Sequence, residues 1–554
     1  MKTKVFALSV TVIVSVILLL NPACNKSDDP PTPADYLTLD LPGMDHRHDL
    51  YYHIDHDSRA IELLFDEPLN ENSIAGNISF SDKTGPLEAR YDLIISGKLV
   101  MLRFHDDFSL QMGWRYTLKL SHGLQSISGS RLPASTTLDI RTTAGHVFTN
   151  ERNKAPRNAI VCISDIHLGD ARANASGYSW FGQNKTALEA FLDTVYSRDN
   201  IHSVVILGDL FDEWVVPYEV SPFDSSASIT SSRQYFHAIA DAPNNSQVID
   251  KLKNLVSHPE MELVYVPGNH DMLITEEVLS GIIPGMTWAG DVAGLGIYHP
   301  VDNIVMEHGH RYDFFNTPQP LVNPGHRLPP GYFISRLYAS GMVYGNPLYL
   351  KSANTPQGSF EFDAAWTIAF LYVIHQFDMQ VPDLNAANIL MGGIDGYADP
   401  LSFNEVQDMY ATSIEDLWPA TQDTNNVPVP ISVFSGIWNG HFLTNAVTEE
   451  YISQSPGMAT YRVITFGHSH DPMLKVYPEG SDYGQVYANS GSWIDEGQCE
   501  NPVRTFVVII PGEWTDSEID CVQLYQFNPA TGPDGQQTGF AATLMAEENI
   551  EVDR

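Results

Sequence analysis

The residue types that could do chemistry recur in one setting, the end of an apolar run. Asp165 and His167 close the run Ala159 to Ser164. At positions i and i+2 of a strand, a carboxylate and an imidazole point the same way and can hold one metal ion. Asp209 follows Ser203 to Leu207 in GDLFDEW, and Asn269, His270 and Asp271 follow Glu262 to Val266 in PGNHD. His308 and His310 end NIVMEHGH, and His468 and His470 end RVITFGHSH. One Gly-Asp or His-x-His alone would mean little. Five such endings in this order predict a composite site assembled from the mouths of several strands.

The elements between the runs say how those mouths could meet. Ala187, Phe191, Leu192 and Val195 fall at helical spacing, as do Val248, Ile249, Leu252, Leu255 and Val256 behind a candidate cap at Asn245 or Ser246. Helices alternating with short, wholly apolar strands predict a largely parallel sheet buried on both faces. Ligands of such sheets sit beyond the carboxyl ends of the strands, which is where the runs place their ligand-type residues.

With these motifs in hand, the chain resembles the calcineurin-like metallophosphoesterases: DIH, GDLFD, GNHD, EHGH and GHSH match that family's motif set in order, and YANSGSW (Tyr487 to Trp493) looks like the strand and turn that follow. The resemblance covers roughly Asn158 to Asn316 and Thr460 to Phe527. GDLFDEW is particularly similar to the branch containing UDP-2,3-diacylglucosamine hydrolases, from which the chain departs in having His270 where that branch carries arginine.

The resemblance implies an α/β fold, a four-layer metallophosphoesterase β-sandwich flanked by helices. It also implies two divalent transition-metal ions. One would take Asp165, His167 and His470, the other Asn269, His308 and His468, with Asp209 bridging. Mixed imidazole, carboxylate and amide donors favour Mn, Fe or Zn over Mg or Ca. The implied reaction is hydrolysis of a phosphate mono- or diester by a hydroxide bridging the ions. In that scheme His270 protonates the leaving group, and Asp271 orients its ring. Asp212 and His310 are candidates to support the ligands from behind, and Arg311 to reach a phosphate oxygen.

Composition sets the surroundings. The 554 residues carry 30 Lys plus Arg against 68 Asp plus Glu, a formal charge of -38. Such a surface repels polyanions and argues against a nucleic-acid partner. Two divalent ions would outweigh Asp165 and Asp209 locally, so a phosphorylated small-molecule or lipid substrate stays compatible with the acidic surface.

Lys2 and Lys4, the uncharged run Val5 to Leu20, and Asn21-Pro22-Ala23-Cys24 read as a secretory signal that resembles a bacterial lipoprotein signal, with Cys24 as the lipidated residue. The expected address is a cell-envelope lipoprotein held to the outer membrane by its N-terminal lipid anchor, with NKSDDP as a surface-export signal or a solvated linker. Residues 25–35 read as a tether and 36–147 as an all-β, immunoglobulin-like sandwich. Residues 148–527 read as the metallophosphoesterase domain, with 319–455 a helical insertion or cap containing the apolar segment Ala364 to Phe377, and 528–554 as a polar tail. The cluster Met44 to Asp57, with His46, His48, His53 and His56, fits no ligand spacing and reads as a solvated face. Cys162 reads as a buried small hydrophobe, and an exported setting permits a Cys499–Cys521 bond. The competing functional class is a catalytically silent surface lipoprotein acting in binding or adhesion; the filling of all seven ligand positions favours the enzyme.

Overall fold

The computed structural model describes residues 36–47, 51–150, 152–344, 388–397, 400–411, 413–427, 461–477, 484–515, 519–532 and 536–551, together with Ser432 and Tyr451. The segments at 1–35 and Ala364 to Phe377, read above as signal, tether and the apolar segment of the insertion, lie outside these residues.

The N-terminal part consists of two sheets. One orders Leu39–Asp40, Ala60–Phe65, Leu99–Phe104 and Tyr91–Ser96; the other runs through Asp45–Arg47, Tyr51–Ile54, Thr136–Thr142, Arg115–Leu120, Ile78–Asp82 and Gly85–Pro86. Alternation explains their pairing. Ile61, Leu63 and Phe65 from the first sheet and Tyr116, Leu118 and Leu120 from the second are buried in one shared core, while Glu62 and Lys119 are not.

A seven-stranded sheet forms the centre of the second part, in the order Thr287–Trp288, Glu262–Val266, Ile201–Leu207, Ala159–Ile163, Thr505–Ile510, Ile519–Thr531 and Gln537–Glu551. The first four strands are parallel and the last three antiparallel, so the sheet is mixed rather than largely parallel. Ala159–Ile163 is buried throughout because both faces are covered. Val161 and Ile163 pack toward helices Lys185–Tyr196 and Ser246–Ser257, whose buried stripes include Phe191, Leu192, Leu252 and Leu255. Ile160 and Cys162 face the other way, into a core shared with a four-stranded sheet of Ile304–Met306, Val463–Phe466, Gln485–Asn489 and Met473–Tyr477.

Two sequence expectations need correction here. Residues 528–554 are not a loose tail: Ile519–Thr531 and Gln537–Glu551 form a long antiparallel hairpin on the edge of the seven-stranded sheet. The pairing slips where Leu524 faces Ala546 and Tyr525 faces Leu544, leaving Met545 as an extra residue, 42% exposed. That bulge turns Leu544 to the helix side and Ala546 to the sheet side, which erases the period of two a reader would look for. Second, Cys499 and Cys521 are both free thiols; Cys521 is buried inside its strand.

The described part of the insertion is helical in Pro330–Tyr344 and Ile414–Thr424 and packs into the main core. Helix Pro330–Tyr344 contributes Tyr332, Phe333 and Leu337 to it, and helix Ile414–Thr424 contributes Ile414 and Trp418. Arg336, fully buried, fastens the first of these helices by donating to the carbonyls of Val216, Pro217, Val220 and Leu390. Among the described residues no helix is long and apolar enough to cross a membrane.

Candidate active site

All seven ligand-type residues stand just past the carboxyl ends of strands, and both sheets contribute. Asp165 and His167 follow Ala159–Ile163, Asp209 follows Ile201–Leu207 and Asn269 follows Glu262–Val266; from the smaller sheet, His308 follows Ile304–Met306, and His468 and His470 follow Val463–Phe466. Simple strand alternation does not aim them, contrary to the reading of Asp165 and His167 as an i, i+2 pair on one strand. Asp165, His167, Asp209, His468 and His470 have φ of +54°, +56°, +53°, +67° and +55°, a left-handed conformation that side chains other than glycine rarely adopt. Clustering of that strain at one cleft marks positions held for a purpose other than stability. Gly208 shows how tight the cradle is: a Cβ there would lie 2.4 Å from His308 Nδ1, and its φ is +80°.

The side chains converge as two overlapping groups. Asp165, His167 and His470 present ligand atoms within 4.8 Å of one another, as do Asp209, His308 and His468, and Asp209 is also grouped with His167 and His270. His470 Nε2 lies 3.1 Å from Asp165 Oδ1, and His308 Nε2 lies 3.2 Å from Asp209 Oδ2 and 3.0 Å from Asn269 Oδ1. His167 Nε2 is 3.7 Å from Asp209 Oδ2, so Asp209 faces both groups. Of the seven, the structure brings all to one cleft.

The donor chemistry fits divalent cations. Asp165 Oδ1 is buried yet lacks a well-formed hydrogen bond, an arrangement that costs stability unless a cation answers it. His308 Nδ1 donates to Leu207 O at 2.6 Å, which turns Nε2 toward Asp209 and Asn269. His468 Nε2 is engaged by Asp313 Oδ2 at 3.0 Å. Burial alone would raise Asp209, but His308, His270 and His167 hold its carboxyl well below the usual range. His308 answers in kind: burial opposes its charge, Asp209 and Asp165 outweigh burial, and it rises to about 9.

His270 lies against Trp214 at 4.6 Å between ring centroids and 4.5 Å from His167. Its Nδ1 meets Asp212 Oδ1 at 2.9 Å. The expectation that Asp271 orients this ring is therefore wrong. Asp271 instead accepts the backbone N–H groups of Gly268 at 2.8 Å and Phe211 at 3.1 Å, pinning two loops together, and burial followed by repulsion from Asp209 pushes it up to about 6. Asp212 takes the orienting place and reaches His167 as well, with Oδ2 3.5 Å from Nδ1. Burial acts to lower His270, but Asp212, then Asp209 and Asp271, outweigh it, so its pKa is raised.

Arg311 also departs from expectation. Its guanidinium is buried against Glu307, with Tyr451 Oη at 3.2 Å, and does not reach the cleft. His310 is buried beside the cleft, its Nε2 3.2 Å from Gly294 O and its ring 5.3 Å from that of His308. Sequence reasoning missed three contributors: Asp313, Trp214 and Trp180, whose ring lies 4.8 Å from His167. Asp313, three residues past His310, carried a signal in being a carboxylate in a histidine-rich run; Trp180, isolated in a loop, carried none.

Residues 159–351 match the family described as calcineurin-like phosphoesterase. The chain thus carries a domain of a metal-dependent phosphoric ester hydrolase. No curated protein matches the chain. Among solved structures, the N-terminal part of the bacterial S-layer protein SbsC shares 20% identity over 21% of this chain and 25% of its own, with a TM-score of 0.14. Native alpha-2-macroglobulin from Escherichia coli, spanning domains MG0-NIE-MG1, shares 16% identity over 25% of this chain and 37% of its own, with a TM-score of 0.16. The chain spans well under two thirds of these structures, and overlap this slight carries no structural argument.

Proposed function

We propose that the protein hydrolyses a phosphate mono- or diester at a two-metal centre. The observation that carries this reading is the pair of ligand groups, Asp165–His167–His470 and Asp209–His308–His468, joined through Asp209. Asn269 would complete the second set. When bound, two divalent ions of the Mn, Fe or Zn type supply an activated water and positive charge opposite the phosphoryl oxygens.

The chain's own residues do the rest. His308 and His468 are held in one tautomer by Leu207 O and Asp313. Asp212 fixes His270 through Nδ1, so that Nε2 is the atom from which a proton passes to the leaving oxygen. Trp214 stacked on His270 restricts the ring to that orientation. Similarity of GDLFDEW to the UDP-2,3-diacylglucosamine hydrolase branch extends to this loop, while His270 in place of arginine sets the substrate apart from that branch. The substrate is a phosphorylated small molecule or lipid, and nucleic acid is disfavoured by the charge of -38.

The same reading gives the protein an address. Cys24 would carry the lipid anchor of an outer-membrane envelope lipoprotein, and the N-terminal sandwich, an immunoglobulin-like module, would act as a spacer. The test is metal content together with chelator-sensitive hydrolysis of aryl phosphate mono- and diesters. Wild type should bind about two ions per chain, and Asp165→Asn should bind fewer and lose turnover while staying folded. Unchanged metal content and turnover in Asp165→Asn would refute the two-metal reading; a wild type inert across the panel would leave the silent binding module as the better account.

A further inference from the structure

The cleft is not equally closed on every side. His167 and His308 are fully buried, whereas the His470 side chain is 17% exposed, so the opening lies past His470. Trp180 flanks that opening. Its ring is 6.0 Å from His470, 5.5 Å from His270 and 4.8 Å from His167, and it is only partly buried. Trp180 meets buried Tyr338 of helix Pro330–Tyr344 edge-on at 5.7 Å. Trp180 and Tyr338 belong to a small apolar cluster, separate from the main cores, that continues along the helix through partly buried Met342 and Val343.

Charge around this wall points the same way. The arginines of the neighbouring loops and of the insertion are already committed. Arg172 is paired with Asp170, Arg311 with Glu307, Arg327 donates to Met272 O and Val292 O, and Arg336 is enclosed by backbone carbonyls. A leaving group bearing further phosphates would find none of these four free to receive it. An apolar body would find an aromatic face next to the acid that protonates its oxygen.

We infer that the leaving group is an uncharged alcohol or phenol with an apolar body of at least ring size, stacked on Trp180 and running toward Tyr338, Met342 and Val343. The inference rests on the phosphoesterase reading above and makes Trp180 the residue that sets leaving-group preference.

Phenylphosphonate and methylphosphonate, two non-hydrolysable probes that differ only in that body, test it on the purified, manganese-loaded full chain by equilibrium calorimetry and competitive inhibition. Wild type should bind phenylphosphonate more tightly. Trp180→Ala should weaken phenylphosphonate about tenfold and methylphosphonate less than about twofold, with Trp180→Phe keeping most of the difference. Equal weakening of both probes in Trp180→Ala, or no weakening of phenylphosphonate, overturns the inference and leaves the phosphoesterase reading standing. Should Trp180→Ala not fold, Trp180→Phe and Trp180→Leu decide: a leucine variant that binds phenylphosphonate as wild type does overturns it. Failure of both phosphonates to bind wild type in a chelator-sensitive way overturns both readings.

Discussion

Asp212→Asn separates the roles of two neighbouring carboxylates. Asp212 Oδ1 accepts from His270 Nδ1 at 2.9 Å and from the backbone of Trp214 and Val215 at 3.1 and 3.0 Å, while Oδ2 lies 3.5 Å from His167 Nδ1. Asparagine can keep the two backbone bonds with its single oxygen. That same oxygen also receives His270 Nδ1, so this bond stays, while the amide N–H groups take the place of Oδ2 toward His167 Nδ1; what is lost is the hold on His167 and the negative charge that both rings share. Loss of such a carboxylate behind a metal ligand or catalytic histidine typically costs 10–100-fold, about 1.4–2.8 kcal/mol.

We expect kcat/KM to fall by that factor. Steady-state hydrolysis should be measured with a p-nitrophenyl and an alkyl phosphate, alongside metal content and an urea midpoint. Because His270 donates the proton, the loss should be steeper for the alkyl substrate, whose poor leaving group needs it. Asp271→Asn should behave differently. It breaks one of two backbone bonds that tie the loops of Phe211 and Gly268, costing about 1–3 kcal/mol of stability, and should not show the steeper alkyl loss. A folded, fully metallated Asp212→Asn enzyme with wild-type kcat/KM on both substrates would refute the assignment of Asp212.

Two further outcomes follow from other regions. Glu213 is fully buried, and burial raises its pKa well above the ordinary 4.5, so the folded chain binds a proton there that the unfolded chain releases. Its contribution is present at acidic pH and is lost as pH rises above about 4.5 toward the folded-state value; Glu213→Gln should therefore gain stability relative to wild type between pH 5 and pH 8 in urea titrations, and a pH-independent difference would contradict the sign. At the other end of the chain, Cys24→Ser should move the protein from the membrane fraction to the soluble fraction of the expressing cell and abolish labelling by a palmitate analogue; retained labelling would exclude Cys24 as the anchor.

Much of this protein was legible before any coordinates, and the reason is local. Short, wholly apolar strands with ligands at their ends are marked by composition, and helices such as Lys185–Tyr196 with one buried stripe by a period of 3.6; neighbouring residues carry both signals by themselves. The C-terminal hairpin escaped because one extra residue at Met545 breaks its period, so a strand buried on alternating sides looked like a polar tail.

At the site, the sequence by itself determined which residue types would be available and at which strand ends they would stand. Tertiary structure alone decided how they are used. Asp271 is the chain neighbour of His270, but the left-handed turn at Asp209 and the return of its loop bring Asp212 to the ring instead. Arg311 follows the ligand run directly yet is drawn to Glu307, because a buried guanidinium settles on the nearest buried carboxylate. Trp180 comes to the cleft from an otherwise featureless loop. Pairings of this kind depend on directions in space across tens or hundreds of residues, and no local spacing records them.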